Sequence, residues 1–291
     1  MKLSIVTINY NNADGLRKTL ASVAKQTYRD IEHIIIDGGS TDGSVDVIRE
    51  YVSANPNKDP FFKHTIKWVS EKDNGIYNAM NKGIRKATGA YVQILNSGDI
   101  LATPDVTEHM IKAVEEAEYP TIIYGNMIRD YGHGKYCKDV CLGERAGKIQ
   151  QPAVVEWTMD DFIKGTVNHD PTYIRADLYK KYGLYDENLK ICSDWKWFVN
   201  AVAFGGEKLY YIPIDVTIFD TTGISETNLE FREKERHVEL EKMLPAAILK
   251  DYDRYHFPID QYKRLKKYHL WGIVYFMERV LFKLEKWHIL K

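Results

Sequence analysis

Apolar positions in the first hundred residues follow two alternating patterns. Short runs rich in β-branched and aromatic side chains give way to stretches in which apolar residues return every three or four positions. The runs Leu3–Asn9, Ile31–Ile36, Thr65–Ser70 and Tyr91–Leu95 read as strands. Between them, Leu16, Leu20, Val23 and Ala24 mark a helix ending near Gln26. Val45, Ile48 and Val52 mark a second, with Asp42 or Ser44 near its cap, and Ile76–Ala87 form a third, closed by Gly89. Strands and helices alternating in this rhythm predict an α/β fold with a parallel sheet and right-handed crossovers.

The pattern changes after Asp99. Pro104–Ala117 reads as a helix and Thr121–Tyr124 as a strand, followed by a Gly- and Lys-rich hairpin or loop over Tyr131–Ile149. Met159–Lys164 is a short helix, Tyr173–Arg175 a brief strand and Ala176–Tyr182 another helix. The apolar helix Trp195–Phe204 precedes two strands, Glu207–Ile212 and Val216–Phe219. Beyond Thr222-Gly223 the chain is charged and helical, and it ends in a basic, aromatic segment.

With 291 residues there is ample material for a core, and 44% hydrophobic with 28% charged residues is ordinary for a globular protein. A net charge of −1 argues against non-specific nucleic-acid binding. The chain contains no uncharged apolar run of about 18 residues, the length a membrane-spanning helix needs. The first ten residues lack the long apolar region of a signal peptide. Cys137, Cys141 and Cys192 are sparse and odd in number, which fits a reducing cytoplasm. Their spacing with His133 suits a zinc site poorly, so buried thiols are the expectation.

Candidate chemistry gathers at strand ends. Asp37 follows the second strand, Asp73 the third and Asp99 the fourth, where Tyr91–Leu95 runs into Asn96-Ser97-Gly98-Asp99. A parallel sheet brings such ends to one edge, so the three carboxylates are expected to line one crevice. Crowded like charges need a cation or hydrogen-bond donors among them, as a metal and a nucleotide would supply. Each Asp also suits a plainer part, capping the turn or helix that follows.

At these residues the sequence resembles glycosyltransferase family 2, inverting enzymes of the GT-A fold. The resemblance rests on Ser4–Asn11, on Ile36-Asp37-Gly38-Gly39-Ser40-Thr41-Asp42-Gly43, on Ser70–Gly83, and on Leu95–Asp99. It is closest to a branch acting in bacterial surface polysaccharide assembly, such as the colanic acid enzymes. The resemblance covers residues 1–225: a nucleotide-sugar half over 1–100, an acceptor half over 101–225, and a mixed sheet. Residues 226–291 form a helical extension outside it.

The resemblance implies a donor site containing Asn9, Asp37, Asp73, Asn74, Gly75, Asn96, Ser97 and Gly98. In it Asp37 bonds the nucleobase and Asp73 the base or ribose. Asp99 matches the surviving carboxylate of an Asp-X-Asp motif binding Mn²⁺ or Mg²⁺, with Ser97 in place of the first. Lys82 either reaches the donor phosphates or is a solvated lysine. Asp194 matches the residue used as base and also suits a helix N-cap, with Ser193 where a Glu is usual. His169 stands on the acceptor side or is a hydrogen-bonded structural histidine, and Trp195 is placed on the acceptor side or in the core. Thr222–Ser225 resembles a loop closing over the donor.

The function implied is transfer of a sugar from a nucleotide diphosphate sugar, UDP most often, to a carbohydrate or lipid-linked acceptor. A sugar-phosphate nucleotidyltransferase is the alternative enzyme, but the loop Asn9–Asp14 lacks its glycines and basic residue. A non-catalytic glycan- or nucleotide-sugar-binding module would be expected to lose Asp99 or Asp194. In the tail, Leu270, Ile273, Val274, Met277, Leu281 and Leu284 form an apolar stripe at helical spacing. Trp271, Tyr275, Phe276, Phe282 and Trp287 widen it, beside Lys263, Arg264, Lys266, Lys267 and His269. The segment 262–287 suits the headgroup region of an anionic membrane at the inner face of the cytoplasmic membrane. The alternative is packing on the catalytic domain or on a second copy of the chain.

Overall fold

The computed structural model describes residues 1–54, 64–131, 136–139 and 151–286. Four parallel strands open the chain: Leu3–Asn9 (β1), Ile31–Asp37 (β2), Thr65–Ser70 (β3) and Tyr91–Ile94 (β4). They are connected by helices Ala13–Ala24 (α1), Ser44–Ala54 (α2) and Ile76–Lys86 (α3). α1 begins before its first apolar marker because Asn12 caps it, accepting from the Gly15 amide at 3.1 Å. α3 lies close on β1: a Cβ on Gly83 would come within 2.2 Å of Val6 Cγ1, so only glycine allows this approach.

The second half makes the sheet mixed. Ile100–Leu101 (β5), the helix Val106–Glu116 (α4), Ile122–Asp130 (β6), Tyr136–Asp139 (β7) and Ala153–Val155 (β8) follow. Next come Met159–Lys164 (α5), Thr172–Arg175 (β9), Asp177–Tyr182 (α6) and Ser193–Phe198 (α7), which continues as a π-helical turn to Phe204. Leu209–Asp220 (β10) completes the sheet in the order β3-β2-β1-β4-β9-β6-β10-β5. β9 runs antiparallel to both neighbours, β4 and β6. The parallel order expected from the first hundred residues holds through β4, and β9 makes the sheet mixed, as the resemblance implies.

Two expectations are corrected. The two strands expected over 207–219 are one, β10, whose pairing with β6 shifts register between Tyr211 and Asp215 and again before Thr217. The polar, Pro-containing interruption is thus absorbed as a bulge. β6 extends to Asp130 and pairs antiparallel with β7, in keeping with the hairpin expected of the glycine-rich stretch. Cys137 is exposed on β7, whereas Cys192 is buried as expected. His133 and Cys141 lie outside the described residues.

The core has two layers. Leu3, Ile5, Leu95, Val106, Met110 and Ile123 pack with α4, and Leu16, Leu20, Ile35, Val47 and Ile48 pack α1 and α2 on the same face of the sheet, while α3 meets β1 from the other face at Val6. The chain divides into two compact units, residues 1–235 and 236–291. Past β10, Gly223 precedes a one-turn helix, Ile224–Thr227 (α8), where the sequence suggested a loop. Leu229–Met243 (α9), Ala246–Lys267 (α10) and Trp271–Lys286 (α11) follow. Among the described residues no helix is long and apolar enough to cross a membrane.

Candidate functional site

Strand register assembles the first part of the site. Asn9 pairs with Asp37, and Asp37 with Ser70, so three polar side chains stand abreast at the carboxyl edge of β1, β2 and β3. Asn9 Nδ2 and Ser40 Oγ donate to Asp37 Oδ1 at 2.8 and 2.6 Å. The Ser40 amide and Ser70 Oγ donate to Oδ2 at 3.0 and 2.6 Å. Burial works to raise the Asp37 carboxyl, but these four donors hold it below the usual range. Asp37 is fully buried, so in this structure its carboxylate braces the loop after β2 and does not face the crevice.

Beside it, Gly38 leaves a gap between Asp73 and Tyr10. A Cβ there would stand 3.1 Å from both Asp73 Oδ2 and the Tyr10 ring, and that ring is 68% exposed. Lys82 is not a solvated lysine: it pairs with Asp73 at 2.5 Å and Glu71 at 2.8 Å, which outweighs burial and raises its pKa. Asn74 and Gly75 are exposed, and the Asn74 amide donates to Asn78 Oδ1 at 3.3 Å.

The second part is acidic. The turn after β4 is pinned from α1: Asn12 Nδ2 donates to the Ser97 carbonyl at 3.1 Å, and Thr19 Oγ1 to the Asp99 carbonyl at 2.7 Å. Asp99 is thereby buried, its Oδ1 accepting from the Asp220 amide at 2.9 Å and its carboxyl bonded to Asp170. Burial first, and the charge of Asp170 next, push its pKa well above the usual carboxylate range. Asp220 Oδ2 comes within 3.2 Å of a Cβ built on Gly98, whose φ of +108° also demands glycine. Asp170 Oδ1, deeply buried, accepts no hydrogen bond and lies 3.4 Å from His169 Nε2.

Among the described residues no three His, Cys, Asp or Glu side chains form a ready-made metal cage. The donor set nevertheless fits a hard divalent cation. It is all oxygen, one of its buried oxygens, Asp170 Oδ1, has no hydrogen-bond donor on it, and phosphate oxygens commonly complete such sites.

The third part centres on Asp194, in the first turn of α7. His169 Nδ1 lies 3.0 Å from its Oδ2, and Tyr77 Oη lies 2.9 Å from its Oδ1, sharing its one proton between that oxygen and the Ile191 carbonyl. Burial works to raise the carboxyl, but the hydrogen bond and charge of His169 prevail and hold it below the usual range. For His169, burial is outweighed by the charge of Asp170 and the bond to Asp194, which raise its pKa to about 9. Asn96 touches His169 Nε2 at 3.1 Å, so the turn carrying Asp99 and the residue holding Asp194 are in direct contact.

Trp195, placed by one reading on the acceptor side, lies in the core with its indole N–H donating to the Phe162 carbonyl at 2.7 Å. Sequence reasoning missed Tyr77, Asn78, Asn81, Asp170, Asp220 and Tyr10. Of the stretch Ser70–Gly83 only Asp73, Asn74, Gly75 and Lys82 are expected at the donor site, yet Tyr77 reaches Asp194, and Asn78 and Asn81 both bond Glu187. Their spacing on α3 was the available signal: Tyr77, Asn81 and Ile84 lie on one helix face.

The sequence model of glycosyl transferase family 2 matches residues 4–164. An uncharacterised glycosyltransferase of Mycobacterium tuberculosis is 31% identical over 253 residues, covering 84% of this chain and 85% of its own length. Among solved structures, Staphylococcus aureus TarS 1–349 in complex with UDP-GlcNAc superposes with a TM-score of 0.59 at 17% identity, over 76% of this chain and 58% of that one. The mannosyltransferase PcManGT of Pyrobaculum calidifontis, with GDP-Man and Mn²⁺, gives 0.53 at 17% identity, over 75% of this chain and 56% of that one. The chain thus spans a little over half the length of each of these two structures.

Proposed function

The chain belongs to glycosyltransferase family 2 and has the GT-A fold, and from that premise we propose that it is an inverting enzyme with Asp194 as its base. It moves a sugar from a nucleotide diphosphate sugar, UDP favoured, to a carbohydrate or lipid-linked acceptor of a bacterial surface polysaccharide. The observation that carries this is the ionised Asp194 carboxylate, bonded by two side chains and joined through His169 and Asn96 to the acidic turn at Asp99.

The nucleobase lies over Tyr10 and Gly38, with Asp73 turned to the base or ribose and Asp37 bracing the loop from behind. Asp99 and Asp220 would hold Mn²⁺ or Mg²⁺, and a cation bound there would supply neutralisation of charge on the diphosphate leaving group. Asp194 accepts the acceptor hydroxyl's proton as that oxygen attacks the anomeric carbon from the face opposite the diphosphate. A carboxylate offers about four lone-pair sites, so the bonds from Tyr77, His169 and the Trp195 amide still leave one for the acceptor hydroxyl. Those bonds fix the carboxylate's direction. The imidazolium of His169 keeps it ionised at neutral pH.

The enzyme works in the cytoplasm, and α11 rests on the inner face of the cytoplasmic membrane, where a lipid-linked acceptor is presented. UDP-, GDP- and dTDP-sugars, incubated with and without Mn²⁺, should identify one donor whose nucleotide is released together with a glycosylated product of inverted anomeric configuration. Asp194→Asn should lower turnover on the order of 10²-fold while UDP affinity stays at the wild-type value. A product of retained configuration, or an Asp194→Asn enzyme with full turnover, would refute the mechanism.

A further inference from the structure

The segment Tyr185–Cys192 leads into α7 and carries Asp194 two residues beyond its end. From one side α3 grips it. Asn81 Nδ2 donates to the Tyr185 carbonyl at 2.8 Å, the Tyr185 amide donates back to Asn81 Oδ1 at 3.0 Å, and Asn78 Nδ2 donates to Glu187 at 2.7 Å. From another side comes Glu235, on α9 and far outside the segment the family model matches. The amides of Lys190, Ile191 and Cys192 all donate to its carboxylate, at 2.7, 2.8 and 3.0 Å.

Three successive amides converging on one anion form a nest, and bonds to a charged acceptor are about twice as strong as neutral ones. These amides stand immediately before α7, where a helix otherwise leaves its first N–H groups without partners. The Ile191 carbonyl, between two clamped amides, receives the hydroxyl of Tyr77 at 2.5 Å, and the same hydroxyl contacts Asp194. The clamp, the entry of α7 and the direction of the Asp194 carboxylate are therefore mechanically continuous.

We propose that Glu235 is a positioning residue for Asp194: its carboxylate, occupying the 190–192 amide nest, sets the first turn of α7 in the orientation from which Asp194 takes the acceptor's proton. The start of α9, at the end of the first compact unit, is thus part of the transfer machinery, acting on turnover and not on donor binding. This rests on Asp194 being the base.

The test compares full-length wild type with Glu235→Ala, Glu235→Asp and Glu235→Gln. Hydrogen–deuterium exchange at the amides of 190–192 should speed up on the order of tenfold or more in Glu235→Ala and less in Glu235→Gln, which keeps one acceptor oxygen. Turnover should fall on the order of 10- to 100-fold in Glu235→Ala, as expected for a displaced catalytic group. Glu235→Asp, one methylene short of the nest, should fall between it and wild type. Donor KM and UDP affinity should not change. Unchanged exchange in Glu235→Ala and Glu235→Gln, or faster exchange with wild-type turnover, would overturn the proposal. So would a loss of UDP affinity in step with turnover, because that is general structural damage. If Asp194→Asn itself proved fully active, the base assignment would fall and the positioning role with it. The exchange rates would then still report whether Glu235 holds the nest.

Discussion

Asp194 and His169 stabilise each other in opposite protonation senses, and this gives stability a defined pH course. His169 is raised to about 9, above its ordinary value of 6.5, because the charges of Asp170 and Asp194 outweigh the effect of burial. Its contribution is fully present below about pH 6.5 and is lost as pH rises through about 9. Asp194 is lowered, so its contribution is present above the ordinary carboxylate value and is lost as pH falls below it. Urea denaturation of wild type and His169→Gln should therefore differ by on the order of 2–3 kcal/mol near pH 6, and the gap should close toward pH 10. A gap that widened with pH would contradict the imidazolium. Tyr77→Phe removes one of the two side-chain bonds to Asp194 without emptying the core. It should lower turnover severalfold and leave UDP affinity intact, as steady-state kinetics and calorimetry can check.

At the scale of the element, α3 does two jobs through two faces. One face packs on β1 so closely that Gly83 meets Val6 with no room for a methyl group. Gly83→Ala should cost about 1–3 kcal/mol by overpacking. Combining it with Val6→Ala should recover part of that loss, and the coupling in a double-mutant cycle measures the contact. Additive losses would mean the helix relaxes away from the strand. The other face carries Tyr77, Asn78 and Asn81 to the segment before α7. The consequence for the site is that residues of the α3 motif orient Asp194, the proposed base, more than a hundred positions further along the chain.

Across the whole molecule, α11 is the element whose surface the fold leaves least accounted for. Phe276 and Phe282 are 68% and 67% exposed, Ile273, Tyr275, Met277 and Leu281 are exposed with them, and Lys266, Lys267 and Arg279 stand nearby in the open. The side chains of Lys263, Arg264, Trp271 and Leu284, and all of Trp287, lie outside the described residues. An aromatic helix with adjacent cations gains from insertion at an anionic headgroup layer, about 1 kcal/mol per Lys or Arg near the surface. Full-length protein should float with anionic liposomes at low salt, and Phe276→Glu/Phe282→Glu should remain in the pellet fraction. If both behave alike and light scattering reports a dimer that the double variant loses, the helix covers a second copy instead.

The alternation of strands and helices over the first hundred residues, with the turns at Asp37, Asp73 and Asp99, was legible in the sequence. Local periodicity and turn chemistry act over a few residues and are written in adjacent positions. The candidate base at Asp194 was legible only through the family resemblance. What the tertiary structure decided was the environment of each group. Asp37 is turned inward because register sets it between Asn9 and Ser70. Lys82 is neutralised because the turn of α3 faces Asp73 and Glu71. β9 enters antiparallel beside β4, which brings His169 and Asp170 from more than seventy residues away to Asn96 and Asp99. Whether a carboxylate is ionised, bonded or open to a ligand depends on partners distant in sequence and on burial, and neither is encoded in the spacing of neighbouring residues.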